Sequence, residues 1–417
     1  MFDPRHLKSA KLLLSSLFIF SAIIFVIHAY SIIYHDFLHS ATYKEPSENL
    51  QAQSHRFKEQ IRPTLSNLPL HSIQEENDRI QAGNQNDLVA PLGVTELERI
   101  AWFRKNLHKF DILKSNNSTR RFHSRVLEFF SRECEAQFFM TWISPAGSFG
   151  VRELMSVESV FKVHPGTCLV ILSRTLETTH GYTVLKPLLD SRFKVQVVTP
   201  DLPFLFKGTL AEAWFRELIK GKKDPGEIPL SQNLSNLIRL VVLYKYGGIY
   251  IDTDFIVLKP LTGLRNSIGA QSMDLRSKHW TRLNNAVLIF DMKHPLLHEF
   301  ISEFALTFDG NKWGHNGPYL VSRVIKRLLK RPGFIFKILP PTAFYPADWN
   351  KIRGFLRKPK TQTESKWVEA KVLQLRAETY GIHLWNKQSR RLTIEDGSVI
   401  GKLALNHCII CNNIFSS

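Results

Sequence analysis

The chain has 417 residues, 44% of them hydrophobic, and a formal charge of +18. That length holds one large or two ordinary domains, and that apolar content supports a substantial core. The charge invites nucleic acid, but the basic residues are scattered, with no long Lys/Arg run and no basic–aromatic repeat, so anionic membrane surfaces or anionic substrates are the better match.

Topology is written at the N-terminus. Residues 1–11 carry Arg5, Lys8 and Lys11, and Leu12 to Tyr34 is almost wholly apolar. A membrane helix needs about 20 such residues. A cleaved signal peptide has a shorter apolar region, about 7–15 residues, so an uncleaved anchor is favoured. The positive flank predicts a cytosolic tail over 1–11, a transmembrane anchor over 12–34 and a lumenal remainder. His28 reads as tolerated near the interface. Residues 35–124 read as a stem, polar as far as about residue 92. Thr95 to Glu98 forms a capping box that opens a stem helix toward Leu113. Asn116 and Asn117 both begin glycosylation sequons, as does Asn233, which falls at a helix start.

A folded lumenal domain is expected over 125–417. Phe138–Ile143, Cys168–Leu172 and Lys194–Val198 read as strands, with a helix over Arg152–Val163. Strands separated by helices imply βαβ units and a mainly parallel sheet, whose ligands gather at the carboxyl ends of strands. Neither a Gly-x-Gly-x-x-Gly nor a P-loop pattern is present, which argues against a dinucleotide or NTPase fold. The even cysteine count (Cys134, Cys168, Cys408, Cys411) suits an oxidising lumen and permits three pairings. Cys134 and Cys168 each lie at or just before a predicted strand, and neighbouring strands would let them pair. Cys408-x-x-Cys411 lacks a second Cys/His pair at zinc spacing, so it reads as structural.

The stretch Leu240–Pro260 is the most informative. An apolar helical run, with Leu234, Leu237, Ile238 and Val241 on one face, ends at Gly247-Gly248. Glycines stop a helix because they accept positive φ. Ile249-Tyr250-Ile251 then reads as a strand, closed by Asp252 and Asp254. The helix from Arg239 to Gly247 rises about 12 Å. The strand from Gly248 to Asp252 rises about 13 Å. Arg239 should therefore come level with Asp252, either to hold a phosphate or to orient the carboxylate. Paired carboxylates at a strand end suit a hard divalent cation, and the cation suits a diphosphate.

Three later clusters stand out. Asn284-Asn285 enters an apolar strand, and the residues alone suit a β-turn as well as a sugar contact. Trp313-Gly314-His315-Asn316-Gly317-Pro318 gives a tight loop with a flat aromatic face, or a capped helix start with a packed Trp. Tyr380 to Asn386 alternates like a half-buried strand, on which His383 is either a core residue or a ligand.

The run Tyr246-Gly247-Gly248-Ile249-Tyr250, followed by Asp252-Thr253-Asp254-Phe255, resembles the Asp-x-Asp core of GT-A sugar-nucleotide glycosyltransferases, and within them the α-1,4-glycosyltransferase family. The likeness covers roughly residues 135–412 and is densest from Ser235 to Leu320. It implies a GT-A-like α/β fold, with a sugar-binding part over about 135–260 and a C-terminal part over about 280–412. It also implies a Golgi enzyme that moves a hexose or N-acetylhexosamine from a UDP-linked donor to a glycan or glycolipid hydroxyl, with retention and an α-linkage. Asp252, Asp254 and His383 would hold Mn²⁺ or Mg²⁺. Arg239, Asn236, Tyr250, Asn284, Asn285 and Trp385 would face the donor, the Trp385 indole N–H reaching phosphate. Trp313 and Asn316 would face the acceptor, and His315 would join Asp252 and Asp254 in catalysis. One departure matters. Many relatives have Ser-Asp-x-x-Arg where this chain has Ser235-Asn236-Leu237-Ile238-Arg239. Loss of that charge leaves a second reading open: a membrane-anchored carbohydrate-binding or scaffold protein on the same fold.

Overall fold

The computed structural model describes residues 88–411, except residue 330, together with residue 415. The expected tail, anchor and most of the stem lie outside the described residues. Among the described residues no helix is long and apolar enough to cross a membrane.

The longer elements follow in order: α1 (Glu96–Asn106), α2 (Phe122–Phe130), β1 (Gln137–Thr141), α3 (Val151–Val163), β2 (Cys168–Leu172), α4 (Thr179–Asp190), β3 (Lys194–Val198), α5 (Leu210–Ile219), α6 (Leu230–Tyr246), β4 (Gly248–Ile251), β5 (Phe255–Val257), β6 (Ser267–Met273), β7 (Trp280–Phe290), α7 (Pro295–Thr307), α8 (Pro318–Leu328), β8 (Lys337–Leu339), α9 (Gln362–Glu378), β9 (Gly381–His383) and α10 (Val399–His407). The main sheet has strand order β3-β2-β1-β4-β7-β6-β8, and β5 pairs with β9 in a second, two-stranded sheet. In the main sheet β3, β2, β1 and β4 run parallel, β7 runs antiparallel to both β4 and β6, and β8 joins β6 in parallel. This is the mainly parallel α/β arrangement expected from the sequence.

Strand periodicity divides the core. Phe139, Val170 and Tyr250 point to one face, against α5, α6, α7 and α8. Phe138, Met140, Leu169 and Ile249 point to the other, against α3 and α4. Both faces are covered, which explains why these strands read as continuous apolar runs. A third cluster joins β5 and β9 to α9 and α10.

Folded structure begins earlier than the expected boundary at 125. Phe103, Phe110 and Phe122 are fully or nearly buried in the main core. Arg99 of α1 makes a forked pair with Asp224, with Nε–Oδ1 at 3.0 Å and Nη2–Oδ2 at 2.7 Å. The capping box at Thr95 is real, with both reciprocal bonds formed, but the helix it opens packs onto the domain. Its amphipathic pattern is weak, and its anchoring aromatics are too widely spaced to look like a core face.

Cys134 is bonded to Cys168 and Cys408 to Cys411. Behind the second bridge, the buried Glu158 of α3 accepts N–H bonds from Ile409, Ile410 and Cys411 at 2.6, 3.0 and 3.4 Å. One carboxylate thus satisfies three backbone donors of the segment after α10. Glu158→Ala should lower stability by about 2 kcal/mol, in the range for hydrogen bonds to a charged group. Glu158→Gln should lose less, and thermal melts of the two variants against wild type measure the difference.

Candidate active site

The site is built by one reversal of the chain. Helix α6 starts after Pro229 and ends at Gly247, whose φ is +68°. A Cβ on Gly247 would stand 2.7 Å from the Met292 nitrogen, and one on Gly248 (φ +104°) 2.6 Å from the Gln137 carbonyl oxygen. Both positions therefore require glycine. Strand β4 returns between β1 and β7 and delivers Asp252, whose N–H donates to the Ala286 carbonyl at 2.8 Å.

Arg239 does come level with Asp252. Its Nη2 lies 3.0 Å from Asp252 Oδ1, and its Nη1 donates to Asp252 Oδ2 at 3.2 Å and to the Asn285 carbonyl at 2.9 Å. Nε and Nη2 donate to the carbonyl and hydroxyl of Ser235, each at 3.2 Å. The guanidinium also lies over the Tyr250 ring, 4.7 Å from its centroid. With every nitrogen engaged and the side chain only 5% exposed, Arg239 orients the carboxylate. This is one of its two expected roles. Tyr250 has the same function: fully buried, it donates its hydroxyl to Asp252 Oδ1 at 3.0 Å.

The second carboxylate is held from a distant part of the chain. β5 pairs antiparallel with β9, with Phe255 opposite His383. Asp254 accepts from the Asn386 N–H at 2.8 Å, and its own carbonyl accepts from the Leu384 N–H at 2.8 Å. His383 Nε2 sits 3.2 Å from Asp254 Oδ1 and 3.9 Å from Asp252 Oδ2, while Nδ1 accepts from the Trp385 N–H. One ligand atom each of Asp252, Asp254 and His383 falls within 4.8 Å of the others. Two carboxylate oxygens and an imidazole nitrogen, convergent, with Asp254 and His383 buried and Asp252 half-buried, are a fitting donor set for a divalent cation of the manganese or magnesium type.

The charges of these three groups depend on one another. Burial pushes the Asp252 carboxyl above the usual range against the pull of Arg239, and the neighbouring Asp254 pushes it further. Burial acts on Asp254 in the same sense, but the His383 charge, the His383 hydrogen bond and the Asn386 N–H together hold it below the usual range. Burial alone would favour a neutral His383, yet Asp254, with Asp252 behind it, raises it above the ordinary imidazole value. A cation held by these three residues would need the Nε2 position free of its proton, so its affinity would depend on pH.

The other expected site residues divide into internal braces and a rim. Asn285 Nδ2 donates to Asn236 Oδ1 at 2.9 Å, and Asn236 Nδ2 to the Gln232 carbonyl at 3.3 Å. Asn284 donates to Gln271 and accepts from the Ala286 N–H. These amides tie α6 to β7 and β6. Asn316 is 2% exposed and bonds to Asn233 and to both the N–H and the carbonyl of Asp309, so it fixes its own loop to α6 and has no face for an acceptor. His315 bonds to the Thr307 carbonyl at 2.8 Å and lies beside Arg323. Burial and that arginine keep its ring below the usual imidazole range, and none of its contacts is with Asp252, Asp254 or His383. The Trp385 indole N–H is already given to the Ala347 carbonyl at 2.8 Å, so the ring offers its edge and face rather than a phosphate donor. Trp313 remains at the rim, 40% exposed, with the Lys387 ammonium 3.5 Å from its ring centroid.

Some neighbours of the site carry no sequence signal. Asn386 Nδ2 reaches Glu153 Oε1 at 3.4 Å, and Arg152 donates to Ser389 at 2.9 Å and to the Leu392 carbonyl, so the start of α3 supports the turn after β9. Tyr345, buried against His383 and Trp385, arrives on an irregular segment after β8. Only Glu153 had a legible hint, since an acid three residues past a helix start can accept the N-cap N–H, as Glu153 does from Gly150 at 2.9 Å.

Comparison with known proteins agrees with this geometry. Residues 150–274 match the glycosyltransferase sugar-binding region containing a DXD motif, and residues 289–415 match the alpha 1,4-glycosyltransferase conserved region. The chain is 32% identical over 296 residues to an uncharacterized protein of Arabidopsis thaliana, covering 69% of this chain but only 44% of that protein's length. Among solved structures it is similar to the PaToxG glycosyltransferase, with 15% identity, a TM-score of 0.35, and coverage of 74% of this chain and 96% of that one. It is 35% identical over 267 residues to lactosylceramide 4-alpha-galactosyltransferase of Rattus norvegicus, across 61% of this chain and 69% of that enzyme. With that identity over more than two thirds of the relative, and the Asp-x-Asp turn inside the matched region, the chain belongs to the α-1,4-glycosyltransferase family.

Proposed function

We propose that the chain is a metal-dependent glycosyltransferase that moves a hexose or N-acetylhexosamine from a UDP-linked donor to a hydroxyl of a glycan or glycolipid, with retention and an α-linkage. The observation that carries this reading is the convergence of Asp252, Asp254 and His383 within 4.8 Å, at the carboxyl end of β4. A divalent cation held by those three residues supplies positive charge against the leaving diphosphate. The chain's own groups fix the geometry for it. Arg239 and Tyr250 lock the Asp252 rotamer, and the Asn386 N–H locks that of Asp254. Such preorganisation means that little rearrangement is needed when the donor arrives. The exposed Trp313 face, on the loop before α8, is suited to stack on a sugar of the acceptor. The test is a panel of nucleotide sugars against the purified lumenal domain, with and without Mn²⁺. Cation-dependent donor turnover with one sugar is the expected result. Donor binding without turnover would favour the scaffold reading, and no binding would end both.

The same proposal includes the cell topology: a Golgi type II protein with its anchor over 12–34 and its catalytic domain lumenal. In sealed microsomes a tag before Met1 should be digested by added protease, while one after Ser417 should be protected. The reverse pattern would overturn a lumenal enzyme.

A further inference from the structure

Beside the carboxylates, β7, α8 and the Trp313 loop carry rings and cations in pairs. The Arg282 guanidinium lies 4.5 Å from the Tyr319 ring centroid, and the Lys326 ammonium 5.7 Å from that of Trp280. Trp313 and Lys387 make the third pair, at 3.5 Å. The pairs are linked. A Cβ on Gly314 would stand 2.9 Å from the Tyr319 ring, so the Trp313 loop packs directly on the Arg282–Tyr319 pair. Tyr319 and Lys326 lie about two turns apart on α8, and their partners Arg282 and Trp280 are close neighbours on β7.

One end of this strip is at the site. Lys387 follows Asn386, whose N–H holds Asp254, and the Ala286 carbonyl of β7 holds the Asp252 N–H. From Ala286, Arg282 is at most about 13 Å and Trp280 at most about 20 Å along the strand. A glycan with one sugar at the carboxylates would therefore lay further sugars over the rings. Rings suit the apolar faces of sugars. The cations need another reason. Arg323 and Arg327, on the same helix, pair with Glu303 at 2.5 and 2.8 Å. Among the described residues, Arg282 and Lys326 have no carboxylate within ion-pair distance, and each meets a ring instead. The ring holds the side chain in place while its charge stays unbalanced.

We propose that this strip binds an acceptor glycan that is itself anionic, with carboxylates or sulfate esters on the sugars beyond the one that receives the transfer. The proposal deepens the transferase reading and rests on it for the role of acceptor. Unbalanced cations seated on rings select a negative group on a sugar, where bare rings would take any glycan. The overall charge of +18 acts in the same sense at longer range.

The test is calorimetric titration of the full chain, purified in detergent, with three tetrasaccharides: an oligogalacturonide for carboxylate, sulfated maltotetraose for sulfate and plain maltotetraose as the neutral sugar. At least one charged probe should bind about 10-fold tighter than maltotetraose, the size expected of one or two exposed ion pairs, and the probe that does so identifies the anion. Arg282→Gln/Lys326→Gln should lose that advantage. Lys105→Gln/Lys366→Gln, which removes the same charge from exposed positions on α1 and α9, should keep it. Lys326 is exposed, so Lys326→Gln alone cannot be confused with a folding defect, and it should lose part of the advantage. Trp313→Ala should weaken charged and neutral probes alike, since the ring has no preference for charge. Equal binding of charged and neutral sugars by wild type would overturn the proposal and leave the transferase reading standing. Equal losses in the two double variants would overturn it too, leaving only the general attraction of a basic protein. A chain that binds a charged sugar but turns over no nucleotide sugar would instead remove the transferase reading, and the acceptor role with it.

Discussion

Asp254→Asn is expected to abolish cation-dependent activity and, unlike the change at Asp252, to destabilise the metal-free fold. Asp254 is the carboxylate whose surroundings favour its charged form, through His383 and the Asn386 N–H. Replacing it by an amide sets an N–H₂ group against the Asn386 N–H or against His383 Nε2. A cost of about 1–3 kcal/mol follows for the lost charged hydrogen bonds. Asp252 is in the opposite condition. Burial and Asp254 already disfavour its charge, so Asp252→Asn should melt close to wild type without metal. Both variants should lose Mn²⁺ binding by more than about 100-fold, beyond the usual effect of an outer partner. The decisive measurement is a melting series with and without Mn²⁺ and UDP. Wild type should gain stability from the pair, as ligand linkage demands, and neither variant should. An equal gain in either variant would move the cation elsewhere.

Arg239→Met should be the most destabilising single change at the site, by about 3–5 kcal/mol, the range for breaking one side of a buried ion pair. The guanidinium has five oxygen contacts at once, joining Ser235, Asp252 and Asn285. Arg239→Lys keeps the charge but cannot bridge three residues with one ammonium, so it should fall between Met and wild type. Mn²⁺ should restore part of the Met variant's loss, because a bound cation returns positive charge beside Asp252. A melting gain from Mn²⁺ smaller in Arg239→Met than in wild type would show that Arg239 recruits the cation more than it balances the acid.

What could be read in advance follows from the range of the forces involved. The level of Arg239 with Asp252 needed only two rises per residue and a Gly-Gly reversal, and local geometry fixes both. The parallel sheet was legible because strands buried on two faces are apolar throughout. The amide braces were not. Asn236, Asn285 and Asn316 look like sugar ligands by type, and only the close approach of α6, β7 and the Trp313 loop shows that they bond to protein. Gly317 marks how tight that approach is, since a Cβ there would stand 2.8 Å from Asn236 Oδ1. The missed core of Phe103, Phe110 and Phe122 has a similar cause. Their partners lie far along the chain, and the intervening residues are polar enough to pass for a stem.

The pairing of β5 with β9 has a consequence for biosynthesis. Asp254 and the Asn386 N–H that holds it are 132 positions apart in the sequence. Contacts of that span close late, after the loops between them have ordered. A nascent chain stopped before Gly381 has both aspartates and all of the main sheet, yet lacks the strand that brings His383 to them. During translation, therefore, Asp252 already has Arg239 beside it while Asp254 still lacks His383 and the Asn386 N–H, and the proposed cation site is incomplete until β9 is made. Truncations falling in α9 should yield a folded but metal-blind protein, so that the binding function is conferred by the last stretch of chain to be made.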